Sequence, residues 1–383
     1  MKRLLHFFPT ISRLGGVEAI LKLHAQRDAE YGWESVVLIG CENEAKARQY
    51  GATGLGFRAW KNMTYLKKRF RDFYQDFKPD VFVCHNLWAG RHLFPYTPDC
   101  LKLAMMHTAS KESRTAVANC ANYLDGALAV SPQIARDVDE LTGNRFETAV
   151  VDIPINAPPP PQHSEIQGRP FVVGYCGRLI IEQKRCDRLA DLIDATLKMS
   201  PQIEFELMGD GSYDIQLRKR FGDNDRVKLL GRKSGADYWS RMQSWDAIVF
   251  TSDYEGTPIG LLEALSQGVI PLFPRINSGG DPYAEQVDPS LVYEKENLGQ
   301  AAARLVALSQ SENAEIDMMR ARAIKLARRH SAEDYFKLFF GALEKLAPLA
   351  EKTVPAQDKI PRLSTADFLP LYFIGRLIPD WIY

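Results

Sequence analysis

The 383 residues set 48 lysines and arginines against 48 aspartates and glutamates, and 45% of them are hydrophobic. A net charge of zero, with no lysine- or arginine-rich block, excludes a nucleic-acid footprint, and the length is ample for two domains with separate cores. The six cysteines, Cys41, Cys84, Cys100, Cys120, Cys176 and Cys186, form no C-x-x-C pair. Several lie in apolar runs, which points to reduced core thiols rather than disulfides or a zinc site. The opening MKRLLHFFPTISRLGG starts basic, but its apolar run is broken by His6 and Pro9. It reads as a first strand and not a leader peptide, and no segment reaches the ~20 apolar residues of a spanning helix. A cytoplasmic protein is expected, with peripheral contact to the cytoplasmic membrane face left open.

Lys2 to Phe8 predicts a buried strand, and the residues up to Gly40 predict a loop, a helix and a second strand. Gly15 and Gly16 precede that helix, where backbone can approach a ligand closely; a double glycine is also simply a tight turn. Leu66, Phe70, Phe73 and Phe77 recur at helical spacing beside Lys67, Lys68 and Arg71. The stripe reads as core-facing, although a basic helix flanked by aromatics also suits an anionic membrane surface. VFVC then predicts a strand leading to His85, and LKLAMM one leading to His107; a lone histidine after an apolar run is ordinarily structural. In DGALAVSPQIARDVDEL, Ser131 reads as the cap of a helix that begins at Pro132. The prolines Pro158 to Pro161 cannot continue a helix or a central strand. They mark a stiff hinge, giving expected domains of 1–165 and 166–347 and a tail of 348–383.

In the second half, FVVGYC predicts a strand ending at Gly177 and Arg178, with Lys184 ahead of the next helix. An arginine and a lysine on one strand-end loop suit a diphosphate, and solvated surface cations account for them equally. IEFELMGDGS repeats the unit with Gly209 and Gly211 in its turn, and VKLLGR ends at Arg232. WDAIVF runs into TSDYEGTPIGLLEALSQG, a strand, a sharp turn and a helix. Gly256 frees the turn, Thr257 is expected to cap the helix and Pro258 to be its first residue, leaving the amides of Ile259, Gly260 and Leu261 aimed in front of it. Glu255 lies in the turn and Glu263 about one and a half turns into the helix. On their own such glutamates are ordinarily solvated. QAAARLVALSQ and AEDYFKLFFGALEKLAPL are amphipathic helices. The apolar tail with Arg362, Arg376, Trp381 and Tyr383 suits docking on protein or on a membrane surface. Together the repeated strand–helix units predict an α/β protein of two doubly wound domains facing a ligand cleft.

The string E-G-x-P-x-x-L-L-E-A-x-x-x-G from Glu255 to Gly268 resembles the signature of retaining glycosyltransferases of family 4, in the GT-B class (glycosyl transferases group 1). LGGVE, KPDVFVCHN, G-R-x5-K at Arg178 and Lys184, the glycine loop at Gly209 and Gly211, and Gly279, Gly280 and Glu285 resemble further motifs of that family. The resemblance runs from Met1 to about Ala347. It implies a GT-B fold whose last helices cross back to the first domain, a UDP- or GDP-sugar donor, and a glycan or lipid-linked acceptor in bacterial surface polysaccharide or glycoconjugate synthesis. Carried over, Gly15 and Gly16 border the donor phosphates, His85 stands at the cleft rim, and His107 faces the donor sugar. Arg178 and Lys184 neutralise the leaving diphosphate, Gly209 and Gly211 lie near the nucleotide, and Arg232 near the base. Glu255 and the turn from Gly256 through Pro258 to Leu261 bind the donor sugar, and Glu263 the ribose. A donor phosphate oxygen takes the acceptor proton. No cofactor is implied and, since no D-x-D motif precedes the cleft in the usual metal-binding manner, no metal is expected. Four positions depart from the pattern: Thr108 stands where an acid usually follows the histidine, Arg185 where a glycine follows the lysine, and Thr257 and Pro258 where an aromatic and a glycine are common. An epimerase or phosphorylase-like enzyme of the same fold, and a catalytically silent binding scaffold, are the other readings.

Overall fold

The computed structural model describes residues 1–11, 16–58, 60–108, 110–146 and 148–350, so Gly15 and the tail from residue 351 lie outside the described residues. The chain divides into two compact units, Met1–Ile153 together with Glu333 onward, and Pro154–Ala332.

The first unit is a parallel sheet of β1 (Lys2–Phe8), β2 (Trp33–Ile39), β3 (Thr53–Gly54), β4 (Val81–His85), β5 (Leu101–Met106), β6 (Gly126–Ala129) and β7 (Ala149–Val150). Its order is β3-β2-β1-β4-β5-β6-β7, with Lys2 paired to Trp33 and His6 to Val83. Helices on both faces explain why β4 is buried along its whole length and shows no alternation in sequence. Helix Met63–Phe77 is capped by the Asn62 side chain, which accepts from the Tyr65 amide at 3.1 Å. It buries Met63, Leu66, Phe70 and Tyr74. The expected stripe is therefore right at Leu66 and Phe70 and rotates away at Phe73 and Phe77, which are half-buried. Ser131 accepts from the Ile134 amide at 3.3 Å, the expected cap.

Helix Ala332–Ala350 returns the chain to this unit, so residues 333–347 pack with the first sheet and not with the second. Its face is aromatic for that reason. Phe336 stacks on Tyr31 at 4.7 Å between ring centroids and Phe340 on Trp33 at 5.7 Å, while Tyr335, Phe336 and Phe339 are fully enclosed.

The second unit is a parallel sheet of β8 (Phe171–Cys176), β9 (Ile203–Met208), β10 (Val227–Gly231), β11 (Ala247–Val249), β12 (Ile270–Arg275) and β13 (Val292–Glu294), in the order β10-β9-β8-β11-β12-β13. Hydrogen bonds tie the proline segment to this unit. The Gln267 side-chain amide donates to the Pro158 carbonyl at 2.9 Å, His163 Nε2 lies 2.6 Å from the Gln267 carbonyl oxygen, and the Ile155 amide donates to the His330 carbonyl at 2.9 Å. Proline leaves carbonyls without matching amides, and side chains of the unit satisfy them.

In each sheet the strand order reverses once, between β1 and β4 and between β8 and β11. Crossovers leave in opposite directions there, opening a crevice at the carboxyl ends of those strands. Among the described residues no helix is long and apolar enough to cross a membrane, and all six cysteines are free.

Candidate active site

The reversal point of the second sheet collects the candidates of that unit. The loop after β8 carries Arg178, Lys184 and Arg185, and the turn after β11 carries Ser252, Asp253 and Glu255. They are laced together. Lys184 Nζ donates to Glu255 Oε1 at 2.5 Å, Ser252 Oγ to the same oxygen at 2.6 Å, and Gln183 Nε2 to Oε2 at 3.3 Å. Thr251 Oγ1 donates to the Lys184 carbonyl at 2.8 Å, and the Asp253 amide to the Gln183 carbonyl at 2.9 Å. Glu255 and Lys184 thus form one ion pair, 6% and 15% exposed. In so little water the attraction is weakly screened, and either partner alone is a costly charge. Arg178 is exposed and donates to Gln183 Oε1 at 2.5 Å.

Arg185 adopts a left-handed backbone, with φ of 50°, immediately before helix Cys186–Met199. This is the conformation glycine takes without strain, which explains how the loop keeps its course with an arginine at that position. The side chain compensates: its Nη2 donates to Asp187 at 2.7 Å and its Nη1 to Asp253 at 3.1 Å.

The helix after the turn runs Ile259–Ser266 and starts one residue later than expected. Pro258, not Thr257, is its cap residue. Thr257 and Pro258 are buried, and the Gly256 carbonyl accepts from the Gly279 amide at 2.9 Å. Ile259, Gly260 and Leu261 form the first turn, in which the Leu261 amide donates to the Pro258 carbonyl at 3.0 Å, and the start of a helix favours an anion in front of it. Gly260 sits against the Cys176 carbonyl, where an added Cβ would find ordinary contact at 3.6 Å.

Glu263, one and a half turns on, accepts from the Tyr238 hydroxyl, and burial pushes its carboxyl up to about 7. Nothing in the sequence distinguishes Tyr238, whereas Ser252 lies three residues before Glu255 and Gln183 beside Lys184. Arg232 stands exposed just past β10.

The glycines of the turn after β9 have an internal reason. A Cβ at Gly209 would lie 1.8 Å from the Gly177 carbonyl oxygen, and one at Gly211 2.3 Å from that of Leu179. The two loops zip together there, the Gly177 amide donating to the Met208 carbonyl at 3.1 Å and the Leu179 amide to the Asp210 carbonyl at 2.8 Å. Their first function is to let the loop bearing Arg178 approach its neighbour.

In the first unit Gly16 begins helix Gly16–Arg27. His85 and His107 lie at the carboxyl ends of the adjacent strands β4 and β5. His85 is fully enclosed and both its ring nitrogens are engaged, Nε2 at 3.0 Å from His6 Nδ1 and Nδ1 at 2.9 Å from His107 Nε2. Its ring thus joins His6 to His107. His6 Nε2 continues to Asp28 Oδ2 at 3.2 Å, and His24 Nδ1 reaches Asp28 Oδ1 at 2.7 Å. Among the described residues His6, His24 and Asp28 are the one grouping of metal-ligand composition, their ligand atoms within 4.8 Å of one another. Hydrogen bonding among themselves accounts for those atoms.

Residues 170–311 match the family model of glycosyl transferases group 1. The chain is similar to the lipopolysaccharide 1,6-galactosyltransferase of Salmonella typhimurium, 22% identical over 284 residues that cover 68% of this chain and 76% of that protein. It is also similar to the poly(ribitol-phosphate) alpha-N-acetylglucosaminyltransferase of Staphylococcus aureus, 22% identical over 287 residues, 71% of this chain and 55% of that one. Among solved structures, a mutant of S. aureus TarM in complex with fondaparinux, alpha-GlcNAc-glycerol and UDP superposes with a TM-score of 0.71 at 12% identity, covering 89% of this chain and 99% of that one. Anabaena HepE in complex with UDP-glucose gives 0.71 at 18% identity, covering 91% and 100%.

Proposed function

We propose that this protein, a glycosyltransferase of GT-B fold, is a retaining enzyme of the family 4 kind that moves a sugar from a UDP-sugar to a glycan or lipid-linked acceptor in bacterial surface polysaccharide synthesis. The observation that carries the reading is the Lys184–Glu255 pair at the reversal point of the second sheet, inside the segment that matches glycosyl transferases group 1. A cation on the strand-end loop, paired to the turn that leads into a helix start, stabilises charge where a diphosphate departs, which is where a transferase needs it. The relatives' galactosyl and N-acetylglucosaminyl transfers, and the UDP held by TarM and HepE, favour UDP over GDP. In this reading Arg178 and Lys184 receive the diphosphate, Glu255 the sugar hydroxyls and Glu263 the ribose, while the first unit contributes His107. The reaction needs no metal or cofactor and takes place in the cytoplasm, with acceptors presented at the membrane face.

Thermal-shift screening against UDP- and GDP-sugars, followed by acceptor-dependent diphosphate release with and without EDTA, tests this. A UDP-sugar is expected to stabilise the protein, turnover to survive EDTA, and the product to keep the donor's anomeric configuration by NMR. An inverted product would sink the retaining assignment, and indifference to every nucleotide sugar would sink the whole reading.

Glu263 gives a pH signature. Burial raises its carboxyl to about 7, so below that pH the neutral form dominates. Two ribose hydroxyls donate best to a carboxylate, and binding must then expel a proton. UDP-sugar affinity is expected to rise up to about tenfold per pH unit below pH ~7 and to level off above it, one proton per site being released in acid. Calorimetry in buffers of different ionisation enthalpy reads that proton. Glu263→Gln should flatten the profile; a slope that survives it removes Glu263 from the ribose.

A further inference from the structure

Four histidines, His6, His24, His85 and His107, meet in the interior of the first unit around the single carboxylate of Asp28. Three of them form a ladder across neighbouring strands, one rung per strand: His107 just past β5, His85 at the end of β4, His6 within β1. The rings of His85 and His107 stack at 5.1 Å. Every contact in the ladder joins an Nε2 to the next ring's Nδ1, and the last joins Nε2 of His6 to Asp28.

A neutral imidazole has one N–H and one lone pair, so fixing one end of such a chain fixes every proton in it. Burial drives all three rings toward the neutral form, lowering His6 to about 4, His107 to about 3, and His85 well below the ordinary range. Asp28 fixes the end. Burial opposes its ionisation, but His24 and His6 outweigh that and hold the carboxyl below its usual range. An ionised carboxylate only accepts, and Asp28 also receives the Ser35 hydroxyl at 2.5 Å and Nδ1–H of His24 at 2.7 Å. His6 must therefore donate through Nε2 and accept at Nδ1; His85 does the same, and so does His107. The ladder ends in a His107 lone pair on Nδ1, which has no hydrogen-bond partner among the described residues. The residue after His107 is Thr108 and offers no carboxylate to set the ring.

We propose that Asp28 is a positioning residue that acts through His6 and His85 to hold His107 in the Nε2–H tautomer, presenting an unprotonated Nδ1 to the reaction. The proton order stands on the first unit alone; its effect on turnover rests on the glycosyl-transfer reading. A reversed ladder, with the proton on Nδ1 of His107, would need a protonated Asp28 as donor.

Long-range 1H–15N spectra of the 15N-labelled full chain without substrate test the proposal. His6, His85 and His107 should each carry their proton on Nε2, and His24 should carry one on Nδ1. A wild-type His107 protonated on Nδ1 overturns the proposal without any variant. Asp28→Asn removes the anion and supplies a donor amide. His107 is expected to lose its single tautomer, and kcat to fall on the order of tenfold with donor KM little changed. Ser35→Ala, which deletes a donor outside the ladder, should leave the His107 tautomer as it is. An Asp28→Asn protein with the wild-type His107 tautomer overturns the proposal. If the tautomers behave as expected but His107→Ala turns over normally, the turnover half of the proposal falls together with the role of His107, while UDP-sugar binding by the second unit is untouched.

Discussion

Lys184→Ala is expected to lower turnover on the order of 10²–10³-fold, the usual cost of removing one preorganised charge from a developing anion. The same change leaves Glu255 buried beside only Ser252 and Gln183, and stability should fall by about 3 kcal/mol, because an unpaired buried charge costs more than the pair contributes. Glu255→Ala strands the lysine in the same way. The double variant separates the two effects. With both charges gone, stability should recover most of the loss, while turnover stays at the level of the worse single variant. Denaturant unfolding gives the first quantity and diphosphate release per folded protein the second. Turnover that recovers together with stability would make the pair a structural bridge and nothing more.

Gly209→Ala is expected to be the most damaging single methyl in the second unit. The atom it would clash with at 1.8 Å is a backbone oxygen, that of Gly177, held by the neighbouring amide bond to Met208. A side chain could swing away, but two hydrogen-bonded loops cannot. The loss should be on the order of 4 kcal/mol, lowering Tm by roughly 10 °C in a unit of this size. Gly231→Ala is the comparison: its φ of 66° is unfavourable for alanine, but nothing lies within 4 Å of the new methyl. It should cost only about 1 kcal/mol, the penalty of left-handed backbone alone. Equal losses at the two sites would mean that backbone conformation, and not the approach of the loops, requires the glycines.

Several features were legible because they are local. Ser131 and Pro132 announce a helix start in adjacent residues, and the β8 loop shows Arg178 and Lys184 within one turn of chain. The cap of the Glu263 helix was misplaced by one residue, because Thr257 competes with a buried setting that the sequence does not display. A boundary at residue 347 keeps 333–347 with the second domain, whereas they belong to the first unit, to which the last helices are expected to cross back. Their amphipathic face declares that a partner exists and leaves open which sheet supplies it, and the aromatic surface of Tyr31 and Trp33 decided.

By itself the sequence determined two parallel α/β sheets and the strand ends where charged residues gather, since buried strands, turn glycines and helix periods are written in consecutive residues. It also placed Glu255 and Glu263 on one turn and helix. Only the tertiary structure decided their partners. Lys184 meets Glu255 across 71 residues, and His6 meets His85 across 79, because the reversal of strand order sets β8 beside β11 and β1 beside β4. A parallel neighbour is chosen by crossover packing far from the strand itself. Which groups share a proton or a charge is therefore fixed by the fold and not by spacing along the chain.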